Sequence, residues 1–388
     1  MQTLSSPRRL AGLDHLRALA IILVFVFHYR IFGHPPHMDE IGSFGWTGVD
    51  LFFVLSGYLI GGQLFSRMVR NKPISYGEFY VKRFFRIIPA YLVVVALYFT
   101  IPGFKERSEL PPLWRFLTFT QNFGLDILGK GAFSHAWSLC IEEQFYTVLP
   151  LIIMAGLALN AKKRLALFLP VLFLVTLLLR IWSWNHFVQP LIDTQQRFGV
   201  AYYRYIYYPT CTRLDGLLAG LSLAALFHFR PLIWEKITRY GNSWLITGLL
   251  LSAAAWTCVH DDNQYTFTGA VYGFSLISLA YGMLVLAALS PSCILYRHTS
   301  ALTRWIATLS YSIYLTHKQL IHLTHEILSS HGISNDSYTS FWICTLVSLA
   351  GGWFLHQAVE RPFLRLRDKW MKKKPVGHQK SVYEFVEK

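Results

Sequence analysis

Residues 12–32 read GLDHLRALAIILVFVFHYRIF. The stretch is apolar and, at about 20 residues, long enough to cross a bilayer as a helix. Among its ionisable residues are Arg17 and His28, eleven positions apart. At about 100° per residue that is about 1100°, three turns plus roughly 20°, so both fall on one helix face about 16 Å apart along the axis. Asp14, three residues before Arg17, lies near the same face. Polar groups inside a membrane span are costly and face a protein interior or a cavity. This helix therefore carries a polar stripe from one side of the membrane toward the other.

The composition agrees. Of 388 residues, 53% are hydrophobic and only 15% charged, against about 25% charged in a soluble domain. The chain reads as all-α and polytopic. Five cysteines are scattered singly, with no paired spacing, so neither a disulfide framework nor a metal site is expected. The N-terminal apolar run is too long and too polar for a cleavable signal.

Ten candidate spans follow, at about 14–32, 45–66, 84–101, 136–157, 164–184, 209–229, 242–260, 268–289, 304–327 and 339–358. The third is short and the ninth is the least apolar. The net charge of +15 raises the question of nucleic acid. Its distribution answers otherwise: 25 Lys and Arg fall in the termini and even-numbered connections and six in the odd-numbered ones. The positive-inside rule then places both termini in the cytoplasm, in a plasma (inner) membrane, and no nucleic-acid partner is expected. One transmembrane domain spans 1–365, with a basic cytoplasmic tail, partly disordered, at 366–388. Two outer connections, Pro102–His135 and Asn185–Tyr208, are long and aromatic, which suits a membrane interface or stacking on sugars.

With that orientation Arg17 lies near the inner face and His28 toward the outer. Asp50, Glu142 with Glu143, Arg213 with Asp215, and His317 with Lys318 reach a similar depth from four other spans. Five spans sharing one polar level read as a cavity open to the outer side. Near the inner face, Arg83 and Arg86 stand at i, i+3 beside Arg17, an arrangement suited to phosphate oxygens. Each residue also has a structural reading. His28 could be a core histidine bonded to a carbonyl. Glu142 and Glu143 point about 100° apart, so at most one faces the cavity squarely. Asp50 could be a carboxylate at a helix N-terminus, and Arg213 and Asp215 a local pair. Arg83 and Arg86 could be positive-inside anchors, and Glu360 of VERPF a cap or ion pair. His322, His325 and Glu326 lack a third metal partner.

Seven pieces in order resemble the acyltransferase-3 family of integral membrane O-acyltransferases, which modify bacterial surface polysaccharides and some other acceptors. They are Arg17 with His28, GVDLFFVLSGYLI (48–60), Arg83 with Arg86 in KRFFRIIPAY, WSLCIEEQFY (137–146), RLDGLLAG (213–220), SYSIYLTH (310–317) and VERPF (359–363). The resemblance runs from about residue 10 to 365 and leaves no room for the SGNH-type domain that some members append. It implies an acyl-CoA co-substrate, most often acetyl-CoA, with no permanently bound cofactor, and a hydroxyl acceptor at the outer side. On this resemblance Arg17, Arg83 and Arg86 would hold the donor's phosphates and His28 would be the general base. Glu142 would orient His28, and Asp50, Arg213, Asp215 and His317 would position the acceptor or stabilise an oxyanion. A glycan or lipid transporter is the competing class, since intramembrane charge suits both. Transporters, however, show repeats and broken helices in corresponding halves, and neither is evident here. Acceptor, acyl chain and oligomeric state stay open.

Overall fold

A computed structural model describes residues 10–70, 72–159 and 162–372. Among these there is no strand. Ten principal helices are named here in chain order: α1 Ala11–Tyr29, α2 Gly48–Val69, α3 Tyr76–Thr100, α4 Trp137–Ala158, α5 Lys162–Ser183, α6 Asp215–Phe229, α7 Gly241–Val259, α8 Phe274–Leu289, α9 Ala301–Ser330 and α10 Tyr338–Leu355. A π-helical turn, His356–Glu360, joins α10 to a final amphipathic helix, α11, Arg361–Lys372.

Among the described residues, eight helices are long and apolar enough to cross a membrane. Of the ten expected spans, α6 falls short at 15 residues, about 22 Å, and α9 is too polar. Apolar side chains such as Val171 and Leu178 of α5, Leu249 and Leu250 of α7, and Leu346 and Phe354 of α10 stand exposed. Exposure on this scale is what a lipid-facing surface requires. The fold is all-α and polytopic.

At the centre α2 packs on α6, α1 and α8, while α9 lies between α1 and α10. Small residues set the α2–α6 distance. A Cβ built on Gly57 would overlap the Leu217 carbonyl, and one on Gly220 the Val54 carbonyl. Close backbone approach of this kind is how helices associate in lipid, where apolar burial gives little gain.

Three boundaries differ from the sequence reading. The third span starts at Tyr76 rather than 84, because the Ser75 hydroxyl accepts from the Glu78 amide at 3.3 Å and caps the helix. The sixth starts at Asp215 rather than 209, because Thr210–Thr212 form a 3₁₀ turn. The ninth, the most polar, runs unbroken for 30 residues, capped by Ser300. It tolerates Ser310, Ser312, Thr316, His317, Lys318 and Gln319 because all six are buried against protein rather than lipid. The expected tail at 366–388 continues α11 to Lys372, and residues 373–388 lie outside the described residues. So do Arg8 and Arg9.

Candidate active site

The C-terminal end of α1 and the N-terminal ends of α2 and α4 meet at one end of the bundle. Two long connections, 101–136 and 184–214, fold over that end. Both connections contribute residues to the lining of a cavity at that end. Its volume is about 250 Å³. His28, Trp46, Trp137, Tyr207 and Tyr208 supply rings to its wall, and Arg107, Ser134, His135 and Lys318 supply polar groups. Burial raises the hydroxyl pKa of Tyr207 and Tyr208 above the ordinary tyrosine value, so both stay neutral donors.

His28 sits in the last turn of α1, and two neighbours decide its tautomer. Its Nδ1 lies 3.0 Å from the Val24 carbonyl oxygen and 3.0 Å from His317 Nε2. A carbonyl only accepts, so His28 Nδ1 carries the hydrogen. His317 Nδ1 in turn lies 2.9 Å from the carbonyls of Ile313 and Tyr314, so it too is the protonated nitrogen. With both rings neutral, His317 Nε2 accepts from His28 Nδ1–H, and the lone pair of His28 is left on Nε2. The core-histidine reading accounts for Nδ1, while the lone pair on Nε2 is not used by these contacts.

Lys318, next along α9, is bonded to Glu106 at 3.0 Å and to the Ser134 hydroxyl at 3.2 Å. Glu106 also accepts from Tyr98 and from the Phe133 amide, at 2.8 and 3.1 Å. The ammonium is therefore neutralised where it meets the cavity.

Behind the aromatic wall lie two buried ion pairs. Arg213 donates to both Asp50 oxygens at 2.8 and 3.0 Å. Rings of Phe274, Tyr207, Trp137 and Trp46 surround its guanidinium, with centroids 4.0, 4.7, 5.1 and 5.9 Å away. Asp215 is paired with Arg180 of α5 at 2.8 and 2.9 Å, and Ser275 bridges the two. Arg213 and Asp215, two residues apart, are thus not partners of each other. Asp50 and Arg213 stand behind the wall that Trp137 and Tyr207 form, rather than among the cavity-lining residues.

The remaining expected residues lie deeper. Glu142 accepts from Ser56 at 2.6 Å. Ser56 is eight residues along α2 from Gly48, about 12 Å from the end where His28 sits. The side chain that holds His28 is therefore His317, not Glu142. Arg83 lies over the Tyr146 ring at 5.6 Å, on the same helix as Glu142. Arg86 is paired with the buried carboxylate of Glu360, which also accepts from Ser312 at 2.8 Å and from His356 at 3.0 Å. Glu360 of VERPF is thus the ion pair that one reading of the sequence allowed. Arg17 is half-buried near the N-terminal end of α1, at the opposite end of the helix from His28.

Three participants escaped the sequence reading. His135 looked like a loop residue at a span entrance. Glu106 lay in a connection with no pattern. Arg180, an arginine in the run LFLVTLLLRIWSW, did carry a signal, because an isolated charge there needs a buried partner.

A family model described as an acyltransferase domain matches residues 10–357. The O-acetyltransferase OatA of Staphylococcus aureus is 31% identical over 343 residues, covering 83% of this chain and 52% of the relative. The peptidoglycan O-acetyltransferase OatA of Listeria monocytogenes is 28% identical over 345 residues, covering 83% and 51%. The chain therefore spans about half the length of these curated relatives. No solved structure matches it. With a family match over nearly the whole described length, the chain belongs to the acyltransferase-3 family of membrane acyltransferases.

Proposed function

We propose that the protein moves an acyl group, most simply acetyl, from cytoplasmic acyl-CoA to a hydroxyl of an extracytoplasmic glycan. The observation that carries this is the state of His28: Nδ1–H is committed to Val24 and His317, which leaves Nε2 as a base on the wall of an aromatic cavity. Family membership and the printed activities of the relatives support the same chemistry, and peptidoglycan is the first acceptor to try.

In the reaction His28 Nε2 takes the proton of the acceptor hydroxyl as its oxygen bonds to the thioester carbonyl carbon. The tetrahedral adduct collapses, the C–S bond breaks, and the thiolate of coenzyme A takes the proton back from the imidazolium. General-base assistance of this kind contributes about 10²–10⁴-fold in rate. His317 fixes the tautomer that makes Nε2 the base. Trp137, Tyr207 and Tyr208 offer faces and hydroxyls to a sugar. The Asp50–Arg213 and Arg180–Asp215 pairs hold that wall rigid from behind.

Toward the other end of α1, Arg17, Arg83 and Arg86 take the donor's phosphates. The Arg86 side chain is one-third exposed (33%) and keeps donors beyond its bond to Glu360. Glu142 and Ser56 lie between the two regions, where the donor's arm would pass. The Lys and Arg distribution supports the orientation, with termini and phosphate site cytoplasmic and the cavity outside.

The test uses purified protein in nanodiscs, radiolabelled acetyl-CoA and soluble peptidoglycan fragments. Wild type transfers label and releases free CoA. His28→Ala lowers transfer about 10²–10⁴-fold while acetyl-CoA still binds, and Arg17→Ala weakens that binding. Transfer by His28→Ala at the wild-type rate refutes the base. Failure of folded protein to bind acetyl-CoA or release CoA refutes the acyl-CoA-dependent reading.

A further inference from the structure

Among the groups lining the cavity, His135 is singular. It is buried, with 2% exposure, and neither ring nitrogen meets hydrogen-bond geometry with a partner among the described residues, although the Leu315 backbone lies close enough to act on the ring. Every other imidazole in this cluster is bonded. The His135 ring centroid lies 5.6 Å from that of His28 and 5.3 Å from that of His317. A buried polar group left unsatisfied costs about 1–3 kcal/mol, and native structures keep few of them without a reason.

The backbone that carries His135 is also under strain. Phe133, two residues earlier, adopts φ 54°, in the left-handed region that a side chain with a Cβ rarely occupies. It is held there by stacking on Tyr98 and Phe116, by its amide hydrogen bond to Glu106, and by Tyr314, whose hydroxyl donates to the His135 carbonyl. These contacts fix His135 in place without giving its ring a partner, and strain of this kind collects at ligand-binding positions.

We infer that His135 is a second catalytic residue, whose ring N–H donates to the carbonyl oxygen of the acyl group and holds the oxyanion formed when the acceptor attacks. The inference rests on the general-base reading of His28. A neutral imidazole carries one donor and one lone pair. The acceptor's proton is already assigned to His28 Nε2, so the charge still to be met is the one on the acyl oxygen. Lys318, the nearby cation, is bonded to Glu106 and Ser134. Trp46 Nε1–H, also buried without a partner among the described residues, belongs to the ring beside Arg213. Arg107 and the Tyr207 and Tyr208 hydroxyls line the wall too, but of these donors the His135 ring is the one that packs on the His28 ring, 5.6 Å away. That leaves His135 as the donor next to the base. No proton leaves it: the N–H stays on His135 as the C–O bond forms and the C–S bond breaks.

Two variants test this, alongside His28→Ala, in the transfer assay with acetyl-CoA and peptidoglycan fragments. His135→Leu conserves volume and removes the donor. It is expected to lower kcat about 10²–10³-fold, as loss of an oxyanion donor does, with the apparent KM for acetyl-CoA nearly unchanged. Its thermal stability should equal or exceed wild type, because an unsatisfied polar group has been replaced by an apolar one. His135→Gln keeps an N–H and should lose less than about tenfold. Near-wild-type kcat for His135→Leu, with His28→Ala inactive, overturns this inference and leaves the base reading standing. Equal losses in the Leu and Gln variants, or a lowered melting temperature that tracks the lost activity, overturn it in favour of a packing role. An active His28→Ala removes the base reading itself.

Discussion

The pairing of Asp50 with Arg213 makes a quantitative prediction. Both side chains are at most 2% exposed, so neither charge can fall back on water when its partner is removed. Breaking one partner of such a pair costs about 3–5 kcal/mol, whereas replacing both by apolar groups of similar volume is close to neutral. Asp50→Asn and Arg213→Met should therefore each destabilise strongly, and the double variant far less than their sum. At about 2.1 cal/mol/K per residue over 388 residues, unfolding carries about 0.8 kcal/mol/K, so each single change should lower the melting temperature by roughly 4–6 °C. The assay is thermal unfolding in detergent, followed by tryptophan fluorescence, for the four corners of the cycle. A coupling of at least about 2 kcal/mol is expected. A parallel cycle on Arg213 and Asp215 should show much less coupling, because Asp215 is bonded to Arg180. Additive effects at Asp50 and Arg213, or the larger coupling at Arg213 and Asp215, would refute the crossed pairing.

Two further perturbations have definite signs. Gly57→Ala or Gly220→Ala sets a methyl against a facing carbonyl and should cost about 1–3 kcal/mol. Gly77→Ala, a helical position with open space around it, should be neutral or stabilising by up to about 1 kcal/mol, and the reverse order in thermal unfolding would contradict the α2–α6 packing. The pKa of His34 is raised: burial opposes its charge, but the Phe32 carbonyl and the Asp39 carboxylate 3.1 Å away outweigh burial. A raised folded value means that its contribution is complete below the unfolded value of about 6.5 and is lost as pH rises through the folded one. Amides of Gly33, His34 and His37 to Asp39 should accordingly be better protected from exchange at pH 5.5 than at pH 8, after correction for intrinsic rates. His34→Gln should abolish the difference, and a pH dependence that survives in it would exclude His34 as the cause.

The membrane helices were legible because lipid imposes length and apolarity directly on sequence. The exceptions have a common origin. The ninth span looked weak because its polar residues are enclosed by α1 and α10, and hydropathy cannot distinguish burial in protein from exposure to lipid. The candidate site was legible to the degree that charge inside a span announces itself, as at His28, Asp50 and Arg213. Its pairings were not, because they join residues far apart in the chain: Asp50 to Arg213, Arg180 to Asp215, His28 to His317. Proximity in sequence suggested Arg213 with Asp215, and the family resemblance suggested Glu142 with His28. The part that β-turn or helix periodicity could never supply is the fold-over of 101–136, which brings Glu106 and His135 to the cavity.

The shortness of α6 bears on the lipid as well as on the protein. A 15-residue helix spans only about 22 Å, against a hydrocarbon layer of about 30 Å, and the mismatch is relieved where a bilayer pinches or water dips inward. The missing turns of α6 are replaced by the segment that carries Arg213 and the tyrosines of the cavity wall. On that side the cavity wall is completed by loop-borne side chains rather than by a full-length helix. On the proposed function, an acyl donor arriving from the opposite side would meet His28 beside these loop-borne residues.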